Sequence, residues 1–201
     1  MQIGVVLTVY AVIFVAELPD KTMIATLIMG SRYPPVLVWM GAASAFAVHA
    51  ALAVLVGQLI HLLPHAWIEG VSALLFAGGA AYLLFVPEES EERKGEREEA
   101  AEEDAGAPRH GVGTVGTAFA VIFIGEFGDL TQILTANLAA KYHAPLSVFV
   151  GAFAALASVA ALGAFGGRAL LRILPLAVIR KVGGVLLAGF AIYSLVTLAR
   201  G

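Results

Sequence analysis

The chain has 201 residues, 60% hydrophobic and 13% charged, with a formal net charge of -3 and a mean hydropathy of +0.89. Soluble domains average roughly 45–50% apolar and about 25% charged residues, so this composition belongs to the membrane class. The absence of cysteine excludes a disulfide framework and a thiolate metal site, and no basic stripe of the kind that binds nucleic acid is visible.

The chain opens on "MQIGVVLTVYAVIFVAEL". It has neither a basic n-region nor a small-residue cleavage site, so the first apolar segment is expected to remain in the mature protein. A span needs about 20 mostly apolar residues. Six segments satisfy this: Ile3–Gly30, Val36–Leu62, Ala66–Val86, Val112–Ala140, Leu146–Leu170 and Leu176–Ala199. Pro-containing turns separate them, "SRYPP", "LLPH", "KYHAP" and "RILP". All six are expected to be helices, because an open sheet cannot leave its edge in lipid.

Between the third and fourth segments lies "PEESEERKGEREEAAEEDAGAPRHG", Pro87–Gly111, with ten of the fifteen acidic residues. A Glu-rich stretch without aromatics cannot offset the entropy of ordering, so a flexible solvated linker is expected. The expected organisation is a first three-helix unit over residues 1–86, the linker over 87–111, and a second three-helix unit over 112–201. Lys and Arg favour the cytoplasmic side of a membrane. With the N-terminus outside, Arg32, Arg93, Lys94, Arg97, Arg109, Arg168, Arg172, Arg180 and Lys181 fall inside, and only Lys141 and Arg200 fall outside. Both termini are therefore expected outside and the acidic linker in the cytoplasm.

The two halves can be laid on each other, and "FVAELPDKTMIATLIMGSRY" (14–33) matches "FIGEFGDLTQILTANLAAKY" (123–142) without a gap. Glu17 pairs with Glu126, Asp20 with Asp129, Thr22 with Thr131 and Thr26 with Thr135. "LLFAGGAAYLL" (74–84) likewise resembles "VLLAGFAIYSL" (185–195), pairing Tyr82 with Tyr193. Each half has three spans, an odd number, so the second must enter the membrane from the opposite side. That is an inverted-topology repeat, an arrangement that places substrate and ion sites near the midplane at broken helices.

Glu17, Asp20, Glu126 and Asp129 fall well inside the first and fourth segments. A charge at the bilayer centre costs roughly 2.5–3.5 kcal/mol on insertion scales, so four carboxylates cost on the order of 10 kcal/mol uncompensated. Lys21 can neutralise at most one of them. Residues i and i+3 share a helix face, so each motif is expected to present a two-carboxylate face. Carboxylate oxygens suit Ca²⁺, Mn²⁺ or Mg²⁺. Thr22, Thr131, Gln132 and carbonyls freed at Pro19 and Gly128 are candidates to complete an oxygen shell. Burial favours the protonated carboxyl and a bound dication the ionised one, so the same groups can exchange protons for a cation. Met23, which pairs with Gln132, offers a thioether that either biases ion choice or fills a gap. His49, in the middle of the second span, is a candidate proton relay or a hydrogen-bonded interior histidine.

The repeated "ELPDKT" and "EFGDLT" resemble the duplicated Glu-x-Gly-Asp-(Lys/Arg)-(Ser/Thr) signature of the calcium:cation antiporter-2 family, formerly uncharacterised protein family sixteen. It includes Golgi and thylakoid manganese/calcium transporters and bacterial manganese exporters. The resemblance covers the whole chain. It implies export of Mn²⁺ or Ca²⁺ in exchange for H⁺, with Glu17, Asp20, Glu126 and Asp129 holding the ion and Thr22 and Thr131 assisting. Pro19 departs from the first motif's Gly and Leu130 from the second motif's basic residue.

The expected protein is thus an all-α, six-span membrane transporter whose site residues are Glu17, Asp20, Thr22, Glu126, Asp129, Thr131 and Gln132, with Lys21, Met23 and His49 as modulators. No resident cofactor, catalytic residue or nucleic-acid partner is expected. The partners are the lipid bilayer, the dication and the proton, and a homo-oligomer is compatible with the composition. A bacterial inner membrane is the expected location. Alternatives are an exporter of small organic cations or amino acids and a passive cation channel. A membrane enzyme lacks a nucleophile–base set here.

Overall fold

The computed structural model describes residues 1–17, 21–60, 65–85, 111–173 and 176–200. Within them lie eight helices and no strand: α1 (Ile3–Glu17), α2 (Lys21–Arg32), α3 (Pro35–Ile60), α4 (His65–Phe85), α5 (Val112–Gly125), α6 (Leu130–Tyr142), α7 (Pro145–Ile173) and α8 (Leu176–Arg200). Most of the acidic linker, and Leu18, Pro19 and Asp20, lie outside the described residues.

Four helices agree with the expected spans to within a few residues. Two of those, Pro35–Leu59 and Pro145–Gly166, are long and apolar enough to cross a membrane; α5 and α6 together would make a third candidate, and Ile3–Glu17 and Leu187–Ala199 are shorter apolar helices. The fourth expected span is not a single helix, and the first is described as two helices, α1 and α2, on either side of residues 18–20. The chain from Val112 to Ala140 is divided between α5 and α6, which meet at 76°. The cause of this break is local. Gly128 adopts φ 79, in the left-handed region, and Asp129 then caps α6 with its side chain on the Leu130 N–H. Left-handed backbone suits glycine, which has no Cβ to clash, and an aspartate cap meets one of the four unbonded N–H groups that open a helix.

Packing follows side-chain size. Large apolar residues such as Leu7, Leu59, Leu74, Phe85, Val112, Ile124, Phe165 and Val185 are exposed, an exterior suited to lipid rather than water. The interior is dominated by small residues: Ala42, Ala45, Ala50, Ala139, Ala152, Ala155 and Ala160 are buried. In lipid no hydrophobic force drives helices together, so close backbone contact between small residues carries the association.

The contacts are reciprocal. α3 and α7 pack on each other in the centre; α1 and α2 pack on α7, while α5 and α6 pack on α3; α4 lies along α8. The reciprocity reaches single residues. Gly41 of α3 faces the Val115 carbonyl and the Ala118 side chain of α5, and Gly151 of α7 faces the Val6 carbonyl and the Val9 side chain of α1. A Cβ at either glycine would collide with backbone.

Candidate cation site

The site is built where α1 and α5 end. Glu17 is the last residue of α1. Glu126 follows the last residue of α5, with φ -101 and ψ 3. Across the break, the Gly128 N–H donates to Gln132 Oε1 at 2.7 Å, and Thr131 Oγ1 donates to Asp129 Oδ2 at 3.1 Å. Asp129 and Gln132 thus close the entry to α6 much as a capping box does. Glu126 and Asp129 therefore do not share one helix face, as the i, i+3 spacing alone suggested. They stand on opposite lips of a break, and the bend turns both toward one point.

Glu17, Glu126 and Asp129 each offer a carboxylate oxygen within 4.8 Å of the others. Glu17 is fully buried, Glu126 almost so and Asp129 partly. Two carboxylate charges at such a separation repel by about 3 kcal/mol at an effective dielectric of about 20. Three together call for a proton or a cation. Thr22, buried at the start of α2, joins the two glutamates: its Oγ1 lies 2.9 Å from Glu17 Oε1 and 2.6 Å from Glu126 Oε1. A hydroxyl has one hydrogen to donate. Serving two carboxylate oxygens needs a second hydrogen, on one of the carboxyls, or a cation in its place.

Thr131 is buried and its hydroxyl is used on Asp129. Gln132 is half-buried and caps the break. Thr26 and Thr135, a further repeated pair, donate to the carbonyls of Thr22 and Thr131 within their own helices. Met23 is fully buried in α2. Asp20 and Pro19 lie outside the described residues, and Lys21 opens α2 with its side chain outside the described set. His49 of α3 is buried against the break, its ring 4.8 Å from that of Phe123 and 6.2 Å from that of Phe127. It lines a small cavity with Glu126, Thr131, Gln132 and Thr135.

Sequence reasoning missed two features. Thr22 is a bridge between the two halves, which no spacing within one motif can show. The α5–α6 break puts His49 on a cavity that Glu126 also lines, although they lie far apart in the chain. The break itself had a signal: Gly128 followed by Asp129-Leu-Thr-Gln132 is a left-handed residue followed by a helix-start pattern.

A family model described as "Divalent cation/proton antiporter GDT1" matches the chain twice, over residues 5–91 and 114–200. The chain is 31% identical over 190 residues to the GDT1-like protein sll0615 of Synechocystis sp., taking in 90% of this chain and 92% of that one. It is 30% identical over 211 residues to Protein PAM71, chloroplastic, of Arabidopsis thaliana, covering 94% of this chain but 55% of PAM71. GDT1-like protein 5 of the same plant is 27% identical, with 93% of each chain covered. No solved structure matches. The resemblance read from the two acidic motifs is borne out, and the chain belongs to the GDT1 family of divalent cation/proton antiporters, membrane proteins that transport cations.

Proposed function

We propose that this chain exports Mn²⁺ and/or Ca²⁺ in exchange for protons through one central carboxylate site. The observation that carries the reading is the meeting of Glu17, Glu126 and Asp129 within 4.8 Å, with Thr22 joining the two glutamates. All the contacting atoms are hard oxygens, the donors such dications take. Asp20, outside the described residues, is assigned to the same site by the sequence repeat alone, as the mate of Asp129, and Thr131 and Gln132 hold the α6 side of the site in shape.

Transport then follows from electrostatics. A dication entering the cluster replaces the hydrogens that the carboxylates share, and its departure lets protons return. The cavity beside Glu126 has about 10 Å³ for a water centre, room for roughly one water, which favours a small ion over an organic cation. The reciprocal packing of α1 and α2 on α7 and of α5 and α6 on α3 supports two inverted three-span units. Rocking of one unit against the other would open the site to each side in turn. Both termini lie outside and the acidic linker inside a bacterial inner membrane in this reading.

The test is uptake into proteoliposomes with a pH gradient as the only driving force. Wild type should move Mn²⁺ or Ca²⁺ uphill, and Glu17→Gln and Glu126→Gln should not. Wild-type rates in both variants would remove the carboxylate site, and downhill flux alone would indicate a channel.

A further inference from the structure

His49 is absent from the repeat. Aligning Pro35 with Pro145 and Gly41 with Gly151 puts Val159 at the equivalent place in α7. A valine fills that position with an apolar side chain, so packing alone does not require a histidine. Yet His49 is only 4% exposed, and buried polar groups are kept where something answers them.

One side of the ring is answered. Past the end of α5, the Glu126 N–H donates to the Ile122 carbonyl and the Phe127 N–H to the Ile124 carbonyl, which skips Phe123. Helix ends leave such carbonyls without an intrahelical donor. His49 makes a hydrogen bond to the Phe123 backbone, and a carbonyl can only accept, so the ring donates there. The Phe123 ring, tilted by 33°, and the edge-on Phe127 ring hold the imidazole plane.

The other side is not. His49 Nε2 is buried and has no hydrogen-bond partner among the described residues. It borders the cavity that Glu126, Thr131 and Gln132 also line. A neutral imidazole that gives its N–H to a carbonyl leaves a lone pair on the opposite nitrogen. This is the posture of metal-binding histidines, whose second nitrogen is fixed by a backbone carbonyl or carboxylate.

We propose that His49 is a specificity-determining residue of the transport site, its Nε2 lone pair meeting the dication beside Glu126, directly or through one water, and favouring a first-row transition ion over Ca²⁺. The inference rests on the transport reading above and adds a nitrogen to an oxygen site. Ca²⁺ takes oxygen ligands, whereas a nitrogen donor adds affinity for first-row transition dications, least of all for Mn²⁺, which opens that series. The carboxylates alone suit either ion, so the histidine supplies the discrimination. Because the second half carries Val159, the discrimination is one-sided.

The experiment compares Mn²⁺ and Ca²⁺ transport in proteoliposomes of wild type, His49→Gln and His49→Val. The ratio of kcat/KM for Mn²⁺ to that for Ca²⁺ should fall about tenfold in both variants, the scale on which groups around a metal act. Wild-type protein with Mn²⁺ bound should also show nitrogen hyperfine coupling by pulsed electron paramagnetic resonance, and His49→Gln should lose or weaken it. An unchanged ratio in variants that still transport would overturn the inference, as would bound Mn²⁺ with no imidazole coupling in wild type. The spectroscopic arm uses wild type and His49→Gln, so it stands even if His49→Val fails to fold. Wild-type vesicles that move neither ion would instead overturn the transport reading beneath it.

Discussion

At the scale of residues, the unusual group is Thr22 rather than any one carboxylate. Its single hydroxyl is within hydrogen-bond distance of Glu17 and Glu126, which come from different halves of the chain. Removing the hydroxyl while keeping the shape isolates that link. Thr22→Val should slow Mn²⁺ or Ca²⁺ uptake roughly ten- to a hundredfold, since a hydrogen bond to a charged group contributes about 1.5–3 kcal/mol. Thr22→Ser should recover most of the rate. Initial rates in proteoliposomes check this, and equal rates in Thr22→Val and wild type would make the threonine a packing residue only. The carboxylates were legible in the sequence because four acids inside apolar runs are expensive wherever the helices lie. The Thr22 bridge was not, because it exists only once two segments a hundred residues apart have been brought together.

At the scale of elements, the α5–α6 break makes the site, and its two parts can be separated. Gly128 has φ 79 and open space where a Cβ would stand, so Gly128→Ala costs only the left-handed backbone, about 1–2 kcal/mol. Gly116, inside α5, also faces open space, and Gly116→Ala should instead stabilise by up to about 1 kcal/mol. Thermal unfolding in detergent should show the two shifts with opposite sign. Asp129 both caps α6 and offers an oxygen to the carboxylate cluster. Asparagine caps about as well as aspartate, so Asp129→Asn should keep the unfolding temperature near wild type while transport falls at least tenfold, a loss of about 1.4 kcal/mol in transition-state terms. A parallel fall in stability would mean that the cap, not the charge, is what transport needs. The four unbroken helices were legible from apolar length and Pro-bearing turns. The break was half legible: Gly128 and the Asp-Leu-Thr-Gln pattern mark it, but the apolar run continues across it and hides it. His49 was visible as a mid-span polar residue, but the answer to its Nδ1 side is the Phe123 carbonyl, which becomes available only because α5 stops.

At the scale of the molecule, the reciprocal packing ties the two halves into one design. The family match at 5–91 and again at 114–200 spaces the halves as Glu17 is spaced from Glu126. Gly41 and Gly151 carry the same contact in exchanged positions, so Gly41→Ala and Gly151→Ala should each lower the unfolding temperature, and by similar amounts. Inversion goes further than repetition and has its own test. Ser31, in the last turn of α2 before α3, and His143, in the turn between α6 and α7, are exposed and stand at corresponding ends of the two halves. In a parallel repeat those ends face the same side of the membrane; in an inverted repeat they face opposite sides. The chain has no cysteine, so single cysteines can be introduced without clearing a background. An impermeant maleimide added to intact cells should label His143→Cys and, near the N-terminus, Gln2→Cys. It should reach Ser31→Cys, and Ser90→Cys in the acidic linker, only after the membrane is opened. Labelling of Ser31→Cys and His143→Cys from the same side would end the inverted reading while leaving the carboxylate site intact. Labelling from opposite sides would make the charge bias, nine Lys and Arg against two, the feature that orients the two halves against each other.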